Sequence, residues 1–361
     1  MVRFYNQKML IEGIFAAVTT PFYPDERVYF RKLEANIARY SRSLLAGMVV
    51  LGSTGEAAAL NDDESQAVLQ TAAEAAAPEK VLIAGVGRES AKATLELAEA
   101  AAELQYDAVL VRTPTYYSPQ MTPEVVRNYF RSVADRSPLP MLLYNIPKFV
   151  PYQIPVEMVA DLAQHPNIIG IKDSTGSMDR IKALTAATSG APRHTVPVTP
   201  IFEAVTQRMA HRAPVSSGTS TFVALGNLAG GAAVAAAPPQ AQIKMRSREV
   251  GFQVLTGSAS TVLDSIEVGA AGAVLGFAAC APQACQEVYL AWKDHDLKLA
   301  REKQERIDLP NRRITGELGV SGIKYACDFN GYYGGHPRLP QLALTAEQKR
   351  EVEALLAEIR N

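Results

Sequence analysis

Eight short apolar runs recur along the chain, and most of them are followed by a stretch with helical periodicity. The runs are apolar throughout rather than alternating, which is typical of strands that are buried on both faces of a parallel sheet. The predicted strands are residues 13–21, 47–56, 80–87, 107–114, 140–147, 167–174, 252–259 and 272–279.

The order of these elements predicts the fold class. Strands that alternate with helices pair in parallel through right-handed crossovers, and eight such units form a closed (β/α)8 TIM barrel. Helix starts support the alternation: Asn61 precedes three acidic residues, and Thr122 precedes Pro123 at a first helical position. Candidate site residues should therefore lie where strands end.

Two segments fall outside this repeat. About sixty residues separate the sixth helix from the seventh strand, whereas such connections usually have about 2–6 residues. We predict an insertion at 193–247 with one helix at 201–212, placed at the N-terminal face of the barrel and outside the catalytic site. Residues 1–282 would form the interrupted barrel, and 283–361 a helical region packed on it.

Composition excludes several classes of function. The chain has 36 basic and 37 acidic residues, so its net charge of −1 offers no attraction to nucleic acid or a membrane surface. No run of 18 apolar residues and no secretory signal are present, and three cysteines are too few for a disulfide framework. We expect a cytoplasmic enzyme without a metal; His194 and His211 are interpreted as surface residues.

Lys172 ends the sixth predicted strand. Strict alternation places Ile168, Gly170 and Lys172 on one face, where the glycine leaves room for the lysine to point into the barrel mouth. Apolar surroundings disfavour the ammonium form and favour the neutral amine that attacks a carbonyl. The alternative is a lysine that pairs with Asp173 or reaches water.

Two other strand ends carry candidate groups. Tyr144 ends the neighbouring fifth strand, so its hydroxyl is a candidate proton relay, although a barrel-core tyrosine is a fair alternative. The segment GSTGE (52–56) follows the second strand and offers hydroxyls and N–H groups that can hold a carboxylate. No Gly-Lys-Ser/Thr follows it, so it is not a phosphate-binding P-loop.

Four motifs in this order resemble the dihydrodipicolinate synthase / N-acetylneuraminate lyase family: GSTGE (52–56), the Tyr116-Tyr117 pair after TP, LLYNIP (142–147) and GIKDS (170–174). The resemblance covers nearly the whole chain except the insertion. It implies an imine between Lys172 and a 2-oxo acid such as pyruvate, formed without a metal or cofactor. Tyr144 would relay protons.

The resemblance also implies roles for other residues. Thr54, with Gly52 and Ser53, would hold the substrate carboxylate, and Thr54 and Ser53 would bond Tyr144. Tyr117 would reach the site of a neighbouring subunit, which implies a homodimer or homotetramer. The remaining implied pocket residues are Ser174, Gly257, Ser258 and Val274, the last through its backbone.

Departures from the family pattern bear on the substrate. Phe149 stands where synthases that use aspartate semialdehyde carry an arginine that grips a carboxylate, although Lys148 offers a point charge next to it. Ala279 stands where members of the family commonly carry an asparagine. The chain instead resembles 4-hydroxy-2-oxoglutarate aldolase in four stretches, which are TPTYYS (113–118), KDS with Ser174, TGSAS (256–260) and GYYGG (331–335).

The leading hypothesis is therefore a class I aldolase that cleaves a 4-hydroxy-2-oxo acid, such as 4-hydroxy-2-oxoglutarate, to pyruvate and an aldehyde. Alternatives are a dihydrodipicolinate synthase, which condenses pyruvate with aspartate semialdehyde, or a related sugar-acid dehydratase. A third is an inactive ligand-binding homologue, against which the presence of Lys172, Tyr144 and Thr54 together argues.

Overall fold

A computed structural model describes residues 8–201, 203–212 and 245–359. The strands are β1 Gly13–Ala17, β2 Gly47–Val50, β3 Val81–Gly85, β4 Ala108–Arg112, β5 Met141–Asn145, β6 Ile168–Asp173, β7 His194–Val198, β8 Arg246–Val250, β9 Gln253–Thr256 and β10 Gly272–Leu275. Eight of them are parallel and close into a barrel in the order β1-β10-β9-β6-β5-β4-β3-β2, and β7 and β8 form a separate antiparallel pair. All eight predicted barrel strands are present, so the predicted fold is confirmed.

Helices cover the outside of the barrel and extend beyond its last strand. Asn61 caps α2 in a capping box with Glu64, and Thr122 caps α4, which begins with Pro123. The helices are α1 Phe30–Ser41, α2 Asp62–Ala75, α3 Ala91–Glu103, α4 Pro123–Arg136, α5 Val156–Leu162, α6 Met178–Thr188, α7 Gln207–Arg212, α8 Val262–Glu267, α9 Pro282–Lys293, α10 Leu297–Asn311, α11 Gly319–Phe329 and α12 Ala346–Leu356. None of the helices in the described ranges is long and apolar enough to cross a membrane.

The C-terminal helices are joined to the barrel by buried polar contacts. On α10, the Gln304 side chain donates to the carbonyl of Ala259 at 2.8 Å and accepts from the N–H of Leu263 at 3.1 Å. A π-helical turn, Arg312–Glu317, follows α10 directly. Such turns interrupt the regular helix and re-aim its side chains, often at functional sites.

The strand that carries Lys172 contains a β-bulge. Met141 pairs with Ile168, but Leu142 pairs with Gly170, so Ile169 is the extra residue. Ile169 belongs to the cluster inside the barrel and Ile168 to the layer beneath the helices. Our assignment of Ile168 to the face of Lys172 was therefore wrong, because a bulge shifts the two-residue alternation by one position.

The described parts of the insertion lie at the N-terminal ends of the barrel strands. This is the predicted face, because the insertion follows a helix and precedes a strand. The N–H of Gln207 donates to Asp107 at 2.7 Å, and the Thr206 hydroxyl donates to the carbonyl of Pro78. The predicted helix at 201–212 is present but shorter, as Gln207–Arg212. At the two ends of the insertion, β7 and β8 pair as antiparallel strands, which sequence analysis did not predict. Residues 213–244 of the insertion lie outside the described residues.

Candidate active site

Lys172 and Tyr144 are direct cross-strand neighbours at the C-terminal ends of β6 and β5. Lys172 Nζ donates to the Tyr144 hydroxyl at 3.2 Å and lies 4.3 Å from the centre of its ring. The side chains are 4% and 6% exposed. Gly170 lies beneath them, and a Cβ there would be 2.3 Å from the carbonyl oxygen of Gln253 on β9. The glycine thus lets β6 and β9 pair closely below the lysine.

Asp173 faces away from Lys172, on the outer side of the barrel. Its carboxylate is fully buried and accepts from Arg180 Nε and Asn145 Nδ2, both at 2.7 Å. The side chain of Arg180 is only 9% exposed. Pairing between Lys172 and Asp173 is therefore excluded, because successive strand residues point to opposite faces.

The turn after β2 brings a hydroxyl to Tyr144. The Ser53 hydroxyl lies 3.3 Å from the Tyr144 hydroxyl, and it is Ser53 rather than Thr54 that makes this bond. Thr54 lines the same cavity, but its Oγ1 lies toward Gly276, 3.1 Å from the position of a Cβ there. The expected hydrogen bond between Thr54 and Tyr144 is therefore not formed, because consecutive residues of this 3-10 turn point in different directions.

A cavity of about 210 Å³ opens above Lys172. The loop after β6 contributes Ser174, and the loop after β9 contributes Gly257 and Ser258. A Cβ on Gly257 would come within 2.0 Å of Ser174 Oγ, so only glycine fits there without moving the serine. The predicted residues Ser53, Thr54, Ser174, Gly257 and Ser258 thus share one cavity with the lysine and tyrosine.

Two predicted residues, Gly52 and Val274, do not line this cavity. Gly52 lines a second, larger cavity beside the first. Val274 is 1% exposed in the barrel interior, and Gly276, two residues further on, lines the cavity above Lys172 instead. Ala279 is buried behind the site, where its carbonyl accepts from the hydroxyl of Tyr40 at 2.5 Å.

The end of α10, the π-helical turn and α11 form a cavity wall that sequence analysis missed. Asn311, Thr315, Gly316, Val320 and Ile323 all line it. Asn311 Nδ2 donates to the hydroxyl of Ser260 at 2.9 Å, which joins the end of α10 to the loop after β9. No local pattern marks these residues, because their contact with the site depends on how the C-terminal helices pack on the barrel.

Lys148 and Phe149 lie at the mouth of this cavity. Lys148 Nζ donates to the carbonyl of Gly316 at 2.5 Å, and the ring of Phe149 is 57% exposed. Among the described residues that line the cavity, Lys148 and Lys172 are the only basic side chains, and none is acidic. The site therefore favours an anionic ligand.

The larger cavity, of about 760 Å³, shares Ser53, Tyr144 and Phe149 with the first. Beside it lies the loop with Tyr116 and Tyr117, whose rings are 5.1 Å apart and 78% and 64% exposed. Tyr117 does not reach Lys172 within this chain, since neither cavity is lined by it.

The carboxylate of Glu89 holds this loop. It accepts from the N–H groups of Thr115 and Tyr116 at 2.8 and 2.9 Å and pairs with Arg112 at 2.9 Å. Burial raises the pKa of Glu89, but these donors outweigh burial and lower the pKa to about 2. The position of the loop thus depends on an ionised carboxylate.

Comparison with known proteins points to one family. The model of the dihydrodipicolinate synthetase family matches residues 10–196 and 229–359. A 4-hydroxy-tetrahydrodipicolinate synthase from Acidiphilium cryptum is 28% identical over 347 residues, which cover 96% of this chain and 98% of that protein. One from Xanthomonas axonopodis pv. citri is 38% identical over 181 residues, which cover 50% of this chain and 59% of that protein.

Solved structures show the same fold. A prophage protein of the dihydrodipicolinic acid synthase family from E. coli K12, solved in complex with pyruvate, has a TM-score of 0.76 and 23% sequence identity. The similarity covers 97% of this chain and 99% of that one. A dihydrodipicolinate synthase from Acinetobacter baumannii, also complexed with pyruvate, has a TM-score of 0.76 and 24% identity, covering 96% and 98%.

Proposed function

Given that the chain belongs to the dihydrodipicolinate synthetase family, whose members are carbon–carbon lyases and synthases that use Schiff-base chemistry, we propose that it cleaves a 4-hydroxy-2-oxo acid to pyruvate and an aldehyde. The observation that carries this proposal is the Lys172–Tyr144 pair inside a cavity without acidic side chains. A substrate such as 4-hydroxy-2-oxoglutarate, a dianion, suits that cavity.

The first half of the reaction forms the imine. The neutral amine of Lys172 attacks the C2 carbonyl of the 2-oxo acid, and the resulting carbinolamine loses water to give a protonated imine. The Tyr144 hydroxyl, 3.2 Å from Nζ, is placed to protonate the departing oxygen. Ser53, Thr54 and nearby N–H groups hold the substrate carboxylate.

The second half breaks the C3–C4 bond. Tyr144 removes the proton of the C4 hydroxyl, the C3–C4 electron pair moves into the protonated imine, and the aldehyde leaves. The enamine that remains is protonated at C3, and hydrolysis releases pyruvate and the free lysine. The Ser53 hydroxyl, 3.3 Å from Tyr144, extends the proton path away from the lysine.

Phe149 supports the aldolase over the synthase. It lies at the mouth of the cavity, where an arginine would grip the carboxylate of aspartate semialdehyde. The second candidate is nevertheless 4-hydroxy-tetrahydrodipicolinate synthase, because the relatives named above carry that name. Both reactions pass through the imine on Lys172. They differ in the aldehyde, which the aldolase releases and the synthase takes up as aspartate semialdehyde.

The exposed Tyr117 supports a further part of the proposal, that the chain forms a homodimer or homotetramer. Its ring contacts Tyr116 and lies outside both cavities of its own chain. In the oligomer it would enter the site of a neighbouring subunit. Light scattering of the wild-type protein measures the assembly, and a monomer contradicts this part.

Borohydride trapping tests the imine. Incubation with pyruvate and sodium borohydride should attach a reduced pyruvyl group to Lys172, located by peptide mass analysis. K172A should show no adduct, whereas K182A, a matched change at an exposed lysine on α6, should behave as the wild type. An unmodified Lys172 contradicts the proposal.

Product assays then separate the two candidates. Pyruvate release from 4-hydroxy-2-oxoglutarate is measured beside condensation of pyruvate with aspartate semialdehyde, at equal enzyme concentration. Faster cleavage supports the aldolase. Faster condensation assigns the chain to the synthase and leaves the role of Lys172 unchanged.

A further inference from the structure

Glu56, the last residue of GSTGE, does not face Lys172. Its carboxylate forms an ion pair with Lys324 on α11, with 2.5 Å between Oε1 and Nζ, and accepts the backbone N–H of Arg338 at 2.9 Å. The Lys324 and Glu56 side chains are 1% and 4% exposed. Two residues 268 positions apart in the chain therefore meet in the interior.

The C-terminal segment wraps around this ion pair. Lys324 Nζ also donates to the carbonyl of His336 at 2.6 Å. The cationic groups of Lys324 and Arg338 each lie 4.3 Å from the ring centre of Phe22, which is fully buried. A Cβ on Gly334 would come within 1.9 Å of the Lys324 carbonyl oxygen, so the segment packs closely against α11.

The turn that this segment contacts is strained. Leu51 and Glu56 flank it with φ angles of 60° and 55°, in the left-handed region that non-glycine residues rarely adopt. Such a backbone conformation is unfavourable for a residue with a side chain and persists only when its surroundings hold it. The ion pair holds Glu56, and Thr20 Oγ1 donates to the carbonyl of Gly55 at 2.7 Å.

We propose that the Glu56–Lys324 ion pair, together with Arg338, is a clamp that fixes the Ser53–Thr54 turn, and that Glu56 and Lys324 are positioning residues of the substrate site. The connection is short. Glu56 is three residues from Ser53, whose hydroxyl contacts Tyr144. The clamp rests on the proposed function, in which this turn holds the substrate carboxylate.

Single and double variants of a buried ion pair can distinguish a role in positioning the turn from a role in stabilising the fold. Removing one partner leaves an uncompensated buried charge and is strongly destabilising, whereas replacing both by apolar residues of similar volume is often neutral. The E56M/K324M double variant should therefore regain thermal stability that the E56M and K324M single variants lose. It should not regain the position of the turn, because the ionic contact and the acceptor for Arg338 are gone.

The experiment measures pyruvate dependence of borohydride trapping, together with the thermal midpoint of each variant. We expect the double variant to unfold near the wild-type midpoint yet to need about tenfold more pyruvate for half-maximal trapping. Wild-type pyruvate dependence in the stable double variant overturns the clamp. If the double variant does not fold, E56Q decides by the same readout, since it keeps the shape of Glu56 and removes its charge.

N167A is the matched control for lost stability. Asn167 is 5% exposed at the opposite end of the barrel, where Nδ2 donates to the carbonyls of Ala134 and Ser137 at 2.9 and 3.1 Å. It should unfold earlier than the wild type with unchanged pyruvate dependence. A comparable shift in N167A shows that the effect is general instability and overturns the clamp. An absence of adduct in the wild type instead contradicts the proposed function.

Discussion

Lys172 and Tyr144 occupy paired positions on adjacent strands, and their polar atoms are 3.2 Å apart. Both side chains project from the rigid barrel into the same cavity, so their contact does not depend on a loop. The Ser53 hydroxyl approaches Tyr144 from a third strand end. This arrangement gives the substitutions below distinct expected outcomes.

Replacing Tyr144 by Phe should remove the proton relay and keep the packing of the ring. We expect kcat for cleavage to fall by about 10²–10⁴, the usual contribution of a positioned acid–base group. Borohydride trapping on Lys172 should be slower but detectable. Y325F is the control, because Tyr325 bonds Glu353 between the outer helices. Activity of Y144F within about twofold of wild type contradicts this role.

Replacing Phe149 by Arg should shift the preference between second substrates. A guanidinium at the cavity mouth pairs with a carboxylate in bidentate fashion, so F149R should raise condensation with aspartate semialdehyde relative to cleavage. F149L separates the charge from the loss of the ring. Equal ratios for F149R and F149L show that this position does not select the second substrate.

Replacing Gly257 by Ala should displace Ser174. The new Cβ would lie 2.0 Å from Ser174 Oγ, so the serine or the loop has to move. We expect KM for the substrate to rise by roughly tenfold or more, with a smaller loss of thermal stability. The double variant G257A/S174G removes the clash and tests the cause. Normal KM in G257A is the contrary result.

The ionised carboxylate of Glu89 should stabilise the folded chain at neutral pH and lose this contribution in acid. Its pKa is lowered from 4.5 to about 2 in the folded chain, so its contribution is present above pH 4.5 and is lost as the pH falls toward 2. The side chain is 44% exposed, so the effect should be modest.

The difference in unfolding midpoint between wild type and E89Q, measured from pH 7 to pH 3, isolates this group. It should shrink as the pH falls. A difference that stays constant or grows toward pH 3 contradicts the assignment of the lowered pKa to Glu89.

The local sequence pattern was sufficient to predict the barrel and to select Lys172 and Tyr144 as the central pair of the candidate site. Each of the eight strands is a short apolar run, and strand ends of a parallel barrel meet at one face, so Lys172 and Tyr144 were identified from position alone. The segment 52–56 was likewise found from its position after a strand, whereas the family resemblance supplied the expected partners at 174 and 257–258. The roles of these residues remain predictions until the variants are measured.

The sequence by itself determined the barrel strands, the helix caps and the candidate nucleophile, because strand burial and capping depend on neighbours close in the chain. Tertiary structure alone decided the bulge at Ile169, the choice of Ser53 over Thr54 beside Tyr144, and the antiparallel pairing of β7 with β8. It also decided the wall formed by the π-helical turn and the Glu56–Lys324 ion pair. These features arise from contacts between residues far apart in sequence, whose geometry no local periodicity specifies.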